Sequence, residues 1–418
     1  LAGMLAVVRE GLREIIHSPL LSQRWKEGLA DTTGILLSEI ESSRRQTGCP
    51  VSPDKLGEAA NQIHQQLKTF SAIPPSLRAT LRELDAFHTL AQDLAGALAA
   101  DEPLSFWSKV LAQQCYDFAA EIRHLSPWAC VEHADSSAVG AIDTDMSLWH
   151  ELLQETDGWL PLNSIATLFH RWESRLREAS GGECSGRWVE WLKTASLRAS
   201  MRIEKIQSAM ERCTELGEHD LNFLYDANRH QLSIGYNLDS HAQDPGFYDL
   251  LASESRLGSY IGIARNELPL EHWFNLGRRL APGKGPAVLA SWSGSMFEYL
   301  MPMLVMPVCA GTLLDMTCKG AVCHQIRYGR RSGTPWGISE SGYNGLDANG
   351  TYRYRAFGVP MLGMKRGLAD DLVIAPYASA MALMIEPVEA VRNIQRLADS
   401  GVIGRFGLYE AVDYTPAR

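Results

Sequence analysis

The chain has 418 residues, 45% of them apolar and 21% charged, which allows two to four domains with sizeable cores. Thirty-nine basic against 49 acidic residues give a formal charge of −10, which excludes nucleic acid and anionic membrane surfaces as default partners. No window reaches the ~18–20 uninterrupted apolar residues of a membrane span; the nearest, 296–310, is broken by Glu298, Pro302 and Pro307.

From Leu1 the chain lacks the basic, apolar, small-residue order of a secretory leader, so none is expected. Residues 1–217 predict a helical bundle or linker region, with amphipathic helices over 2–17, 21–45, 53–70, 81–98, 103–124, 162–179 and 187–215. Leu81, Leu84, Phe87, Ala91, Leu94 and Leu98 follow one another at three or four residues, which puts them on one helical face. Pro53, the Pro74-Pro75 pair and Pro103 stand at expected helix starts. The small, acidic run from Val131 to Met146 reads as a linker. Eight cysteines are scattered through these segments and the next, the pattern of reduced thiols rather than a disulfide framework. Cys309, Cys318, Cys323 and His324 lack the paired spacing of a zinc site, so neither metal nor cofactor is predicted.

Texture changes near Gly217. The first 217 residues hold 13 of the 35 glycines and 14 of the 35 aromatic residues; the remaining 201 hold 22 and 21. Over 218–418 shorter helices are predicted at 247–264, 286–301, 310–330 and 387–399, with a strand pair at Leu224–Tyr225 and Leu232–Tyr236. Between them lie Gly- and aromatic-rich loops, SWSGS (291–295), TPWGISESGYNG (334–345) and TYRYRAFGVP (351–360), placed as functional loops on a helical frame usually are.

Five acids in apolar or aromatic company are candidates for chemistry: Glu254, Glu298, Glu340, Asp371 and Glu410. Desolvation raises a carboxyl's pKa, and one protonated plus one ionised carboxyl is what glycosidic bond chemistry needs. Trp292, Trp336, Tyr343, Tyr352 and Tyr354 suit stacking on sugars, and Asn344, Asp347, Asn349 and Arg353 suit hydroxyls. Each has a plainer reading: a capping or Arg-paired acid, a core tryptophan. Arg327, Arg330 and Arg331 read as a solvated helix end. Gly283-Lys284-Gly285 lacks P-loop spacing, and SWSGS is not a nucleophile elbow because Ser291 stands at the first glycine position. The residues alone give a helical protein with an aromatic, acidic cleft for carbohydrate.

The runs FLYDANRHQLSIGYN (223–237), YDLLASESRL (248–257), HWFNLGRRL (272–280), SWSGSMFEYLMPMLVM (291–306), PWGISESGYN (335–344), FGVPMLGMKRGLADDLVIAPYASAMAL (357–383) and GRFGLYEAVDYTPAR (404–418) resemble the central glycoamylase-like domain of cyclic β-1,2-glucan synthases. Residues 1–217 resemble the helical segment that precedes it in those synthases. The resemblance implies a mainly α fold, a partial or complete (α/α)6 barrel preceded by helices. It implies retaining transglycosylation that closes linear β-1,2-glucan into rings, with plain hydrolysis or a non-catalytic glucan-binding role as alternatives. Glu254 would be the nucleophile and Glu340 the general acid/base, with carboxyls about 5–5.5 Å apart or coupled through a substrate hydroxyl. Tyr248, Asp249, Trp292, Glu298, Trp336, Tyr343, Asn344 and Asp371 would bind glucan. Implied partners are the β-1,2-glucan chain and the glycosyltransferase and phosphorylase-like domains of a parent synthase. Such a parent lies on the cytoplasmic side of a bacterial inner membrane, this segment itself being soluble. In those relatives the chain continues past DYTPAR, so either residues 1–217 contribute barrel helices or the barrel is incomplete.

Overall fold

The computed structural model describes residues 1–21, 24–45, 61, 64–65, 76–98, 102–130, 146–179, 187–281, 287–404 and 406–416. They are mainly helical and divide into two units, Val8–Cys213 and Leu1–Val7 with Thr214–Arg418. Most of the expected helix at 53–70, and the linker up to residue 145, lie outside the described residues.

In Val8–Cys213 the amphipathic stripes become helices α2 (Trp25–Arg45), α3 (Leu77–Ala97) and α4 (Glu102–Leu125). Ser76 opens α3 by accepting a hydrogen bond from the Ala79 N–H at 3.1 Å, and Pro103 falls in the first turn of α4, where a missing N–H costs nothing. The Leu81–Leu98 stripe is buried as expected, in one cluster with Leu29, Leu36 and Leu111. Each such side chain contributes roughly 1.5–3 kcal/mol of burial. A second cluster joins α5 (Met146–Thr156), α6 (Leu162–Ala179) and α7 (Arg187–Gly217). Trp128 stacks on Trp188 there at 6.5 Å between ring centroids, and its indole N–H donates to the Thr156 carbonyl at 2.8 Å. Helix α5 was not expected; among its described residues the buried apolar positions are Leu148 and Leu152, too few for a clear period. The N-terminal helix α1 (Ala2–His17) matches its prediction.

The second unit mixes short helices with two-stranded ribbons. Its helices are α8 (Ser253–Ala264), α9 (Glu271–Asn275), α10 (Met296–Leu300), α11 (Leu313–Ser332), α12 (Pro376–Met381) and α13 (Pro387–Leu397). Helix α11 runs from a Thr312 cap, which accepts from the Asp315 N–H, to Gly333, left-handed at φ 67°. The expected arginine-rich end is here, and Arg330 pairs with Glu389 on α13 at 2.8 Å. Two helices begin later than the apolar pattern suggests. The run before α8 is turned by Asp249, whose carboxylate accepts from the Leu251 N–H at 2.7 Å. The run before α10 is folded into the 291–295 loop.

The predicted strand pair is displaced rather than absent. Strand β1 (Tyr225–Asp226) pairs with β2 (Gln231–Leu232), and β3 (Tyr236–Asn237) opens a separate ribbon with β4 (Ala242–Gln243). The longest ribbon, β5 (Ser341–Leu346) with β6 (Tyr352–Arg355), sits at the candidate site. The core of this unit gathers Leu250, Leu251, Met296, Tyr299, Leu300, Trp336, Ile338 and Phe357, so the segments bearing the candidate acids are anchored in one apolar cluster. No helix among the described residues is long and apolar enough to cross a membrane.

Candidate active site

Glu254 lies in the first turn of α8, where a negative side chain is favoured by the helix N-terminus. It is exposed, and the Ser253 hydroxyl donates to its Oε2 at 2.6 Å. Glu340 ends the 334–340 loop, which buried polar side chains hold on both sides. Gln325 of α11 donates to the Ile338 carbonyl at 2.7 Å and accepts from the Ile338 N–H at 2.9 Å. Asn393 of α13 accepts from the Trp336 N–H at 3.1 Å and donates to its carbonyl at 2.7 Å. From α12 the Tyr377 hydroxyl donates to the Glu340 carbonyl at 2.9 Å and lies 2.7 Å from Ser339 Oγ. The backbone under Glu340 is therefore set by three helices.

The Glu340 carboxyl is half-buried. Burial pushes its pKa up, and the charges of Glu298 and Glu254 push it further the same way. Glu254 and Glu340, 86 residues apart in sequence, are thus near enough for their charges to act on each other. Tyr354 of β6 donates to Glu340 Oε2 at 3.4 Å, and Ser295 Oγ stands 3.5 Å from Oε1. Both contacts are long, as acid/base contacts often are before substrate tightens them. Burial, then the Glu340 charge, raises the pKa of Tyr354 as well. Among the described residues no Arg or Lys forms an ion pair with Glu254 or Glu340.

Further acids complete the cluster. Burial raises the pKa of half-buried Asp249, and the Glu298 charge adds to it while Arg256 opposes it. Glu410 accepts from the Gly342 N–H at 2.7 Å and acts electrostatically on Tyr354 and Tyr377.

Three expectations for glucan contact need correction. Trp336 is 1% exposed and belongs to the core, packed beside helix α11 where Gly329 leaves room for it, so it offers no face to a sugar. Asp371 is 4% exposed and ion-paired to Arg355 at 2.5 Å, which commits its carboxylate. Glu298 is 9% exposed and turned inward, bonded by the serines of SWSGS. Trp292, between two of those serines, is 63% exposed. Tyr343 is half-buried with its ring edge-on to Phe357 at 5.4 Å, Asn344 is exposed on β5, and the Tyr248 hydroxyl donates to the Ile234 carbonyl at 3.4 Å. An apolar groove of about 440 Å³ lined by Leu250, Tyr260, Trp273, Met306 and Leu313 contains none of the five acids.

Sequence reasoning gave Tyr354 only a stacking role, set Ser291 aside as no nucleophile, and passed over Ser293, Ser295 and Tyr377. One signal was available: Ser295 and Glu298 stand at the S-x-x-E spacing of a capping box, which the structure forms. The contacts of Tyr354 and Tyr377 had no local signal, because they are made across the fold.

Comparison with known proteins bears on the domain that holds these residues. Residues 247–417 match the Glycoamylase family model, described as "Putative glucoamylase". Over 199 residues the chain is 51% identical to the cyclic beta-(1,2)-glucan synthase NdvB of Rhizobium meliloti (strain 1021), a match covering 48% of the chain and 7% of that synthase. The chain thus corresponds to a small part of its relative's length. Through these residues it carries a glycoamylase-like domain, similar to a segment of a cyclic β-1,2-glucan synthase.

Proposed function

We propose that residues 218–418 form a carbohydrate-active domain that acts on linear β-1,2-glucan by retaining transglycosylation, closing chains into rings. What supports this reading is that half-buried Glu340 lies within reach of the charge of exposed Glu254, each borne on a separately anchored segment. In the proposed reaction the Glu254 carboxylate attacks the anomeric carbon, and Glu340 gives its proton to the departing glycosidic oxygen. The products are a glycosyl ester on Glu254 and a free 2-hydroxyl on the released piece. In the second step Glu340 takes the proton of an incoming 2-hydroxyl, whose oxygen displaces Glu254 and restores the configuration. Cyclisation requires that the chain's own end outcompete water, which its high effective molarity favours when the cleft already holds it. Exposed Trp292 and Tyr354 are proposed to hold that chain, with Tyr248, Tyr343 and Asn344 as further contacts. The proposed frame is an (α/α)6 barrel, complete or partial. The proposed setting is the cytoplasmic side of a membrane synthase, whose glycosyltransferase domain would supply the linear chain.

Hydrolysis is the second reading, favoured by the exposure of Glu254, which gives water access to an ester formed there. Incubation of linear β-1,2-glucan with the chain separates the two. Rings support cyclisation, whereas short linear products support hydrolysis. Glu340→Gln is expected to cost about 10²–10⁴-fold in turnover, and Glu254→Gln on the order of 10⁴-fold. Unchanged product formation in either variant removes that residue from the mechanism. Glucan binding without turnover in the wild type leaves a binding module only.

A further inference from the structure

The loop 291–295 is built around one carboxylate. The Ser291 hydroxyl donates to Glu298 Oε2 at 2.7 Å and the Ser293 hydroxyl at 2.6 Å. The Ser293 N–H lies 3.1 Å from the same oxygen and the Ser295 N–H 3.3 Å. Ser291 Oγ in turn accepts from the Gly294 N–H at 2.9 Å. Gly294 has φ 72°, and a Cβ there would stand 2.7 Å from the Gly363 nitrogen, so the loop closes only with glycine at that place. From the far side Arg256, 2% exposed, donates to the Tyr299 carbonyl at 3.1 Å and more weakly to that of Glu298 at 3.4 Å.

These contacts fix the form of Glu298 as well as its position. Backbone N–H groups can only donate, and the Ser293 N–H also lies 3.2 Å from Oε1, so a proton on either oxygen would oppose at least one of them; a carboxylate suits them all. The remaining hydroxyl of the set, Ser295 Oγ, lies 3.4 Å from Glu298 Oε2 and 3.5 Å from Glu340 Oε1, between the two acids. A buried charge is screened less than an exposed one. Glu298 therefore presses on Glu340 through the protein interior, whereas exposed Glu254 faces it partly through water.

We infer that Glu298 is a positioning residue, an enclosed negative charge that the serine loop holds against Glu340 so that Glu340 keeps its proton before glucan binds. The inference rests on the glycan-transfer reading for its purpose, but its physical content is the push of one enclosed charge on the ionisation of Glu340. The other groups facing Glu340 are Glu254 from α8, Tyr354 from β6 and Tyr377 from α12, with Glu410 beyond the two tyrosines. Asp249 and Arg256 face Glu298 rather than Glu340. None of them is enclosed by donors as Glu298 is.

The test follows side-chain carboxyl carbons by NMR across pH in the full chain labelled at glutamate, with Glu340→Gln assigning the Glu340 resonance. In the wild type Glu340 is expected to ionise above the ordinary glutamate value of about 4.3; a transition at or below that value overturns the inference without any variant of Glu298. In Glu298→Gln the Glu340 transition is expected to move to lower pH, and in Glu298→Asp, which keeps the charge but withdraws it by one methylene, to move less. An unmoved Glu340 transition in folded Glu298→Gln overturns the inference even if glucan is still turned over. The predicted titrations in a chain that never turns over glucan would overturn the transfer reading alone.

Discussion

Glu340 sits where its protonated form is the comfortable one, which makes a prediction about stability as well as rate. Its folded-state pKa is raised above the unfolded value of about 4.3. Any stability it lends is therefore complete below that pH and is lost as pH rises through the folded value, leaving it unfavourably placed at neutrality. Glu340→Gln is predicted to melt above the wild type at pH 7 while losing activity, with the gap closing towards pH 4. A melting point equal to or below the wild type at pH 7 contradicts the assignment of cause. The two loop tryptophans divide in the same measurements. Trp336→Ala should cost about 3–5 kcal/mol by emptying a core site. Trp292→Ala should stay within about 0.5 kcal/mol of the wild type yet weaken retention on a β-1,2-glucan gel. The sequence did not tell these residues apart, since SWS and PWG are both loop contexts. Asn393, 57 residues further on, holds the Trp336 backbone, and Gly329 on a helix alongside leaves room for its side chain.

At the scale of the element, the long stripes were readable and the short pieces were not. The Leu81–Leu98 stripe runs through α3 and just past its end, because six apolar positions on one face outweigh any local alternative. Helix α10 has five residues, and its position depends on the serine loop and on Arg256 rather than on a period of its own. Glycine within helix α11 shows the same override. Gly→Ala in a helix interior ordinarily stabilises by roughly 0.5–1 kcal/mol. At Gly329 an added Cβ would stand 2.7 Å from Trp336 Cβ and 3.2 Å from the Thr334 carbonyl oxygen. Gly329→Ala is predicted to reverse that sign and destabilise by about 1–3 kcal/mol, read as a lower denaturation midpoint. A stabilised variant would mean that the 334–340 loop is not held against α11 as described.

For the molecule as a whole, each unit owns its core, and the proposed chemistry belongs to one of them. Leu84, fully buried in the Val8–Cys213 unit, provides the control. Leu84→Ala should cost that unit about 2–5 kcal/mol and leave glucan turnover unchanged at temperatures where both units remain folded. A proportionate loss of turnover would place the chemistry elsewhere. The acidic, aromatic character of the site was legible as composition, and its two principal acids as motifs. That Glu340 lies within reach of the Glu254 charge was not, because three helices set the backbone of Glu340 and none of those contacts is local in sequence. Whether the helices close a barrel is likewise hidden from periodicity, which reports which face is buried and not what covers it.

The central claim is that Glu254 and Glu340 are two halves of one retaining site. A β-1,2-linked glucosyl fluoride tests it most directly, because fluoride leaves without an acid and the ester then awaits a base that Glu340→Gln lacks. Intact-mass and peptide analysis of that variant after reaction should find a glycosyl adduct on the peptide bearing Glu254, absent when Glu254→Gln is added. No adduct in a folded variant, or an adduct on another residue, contradicts the account.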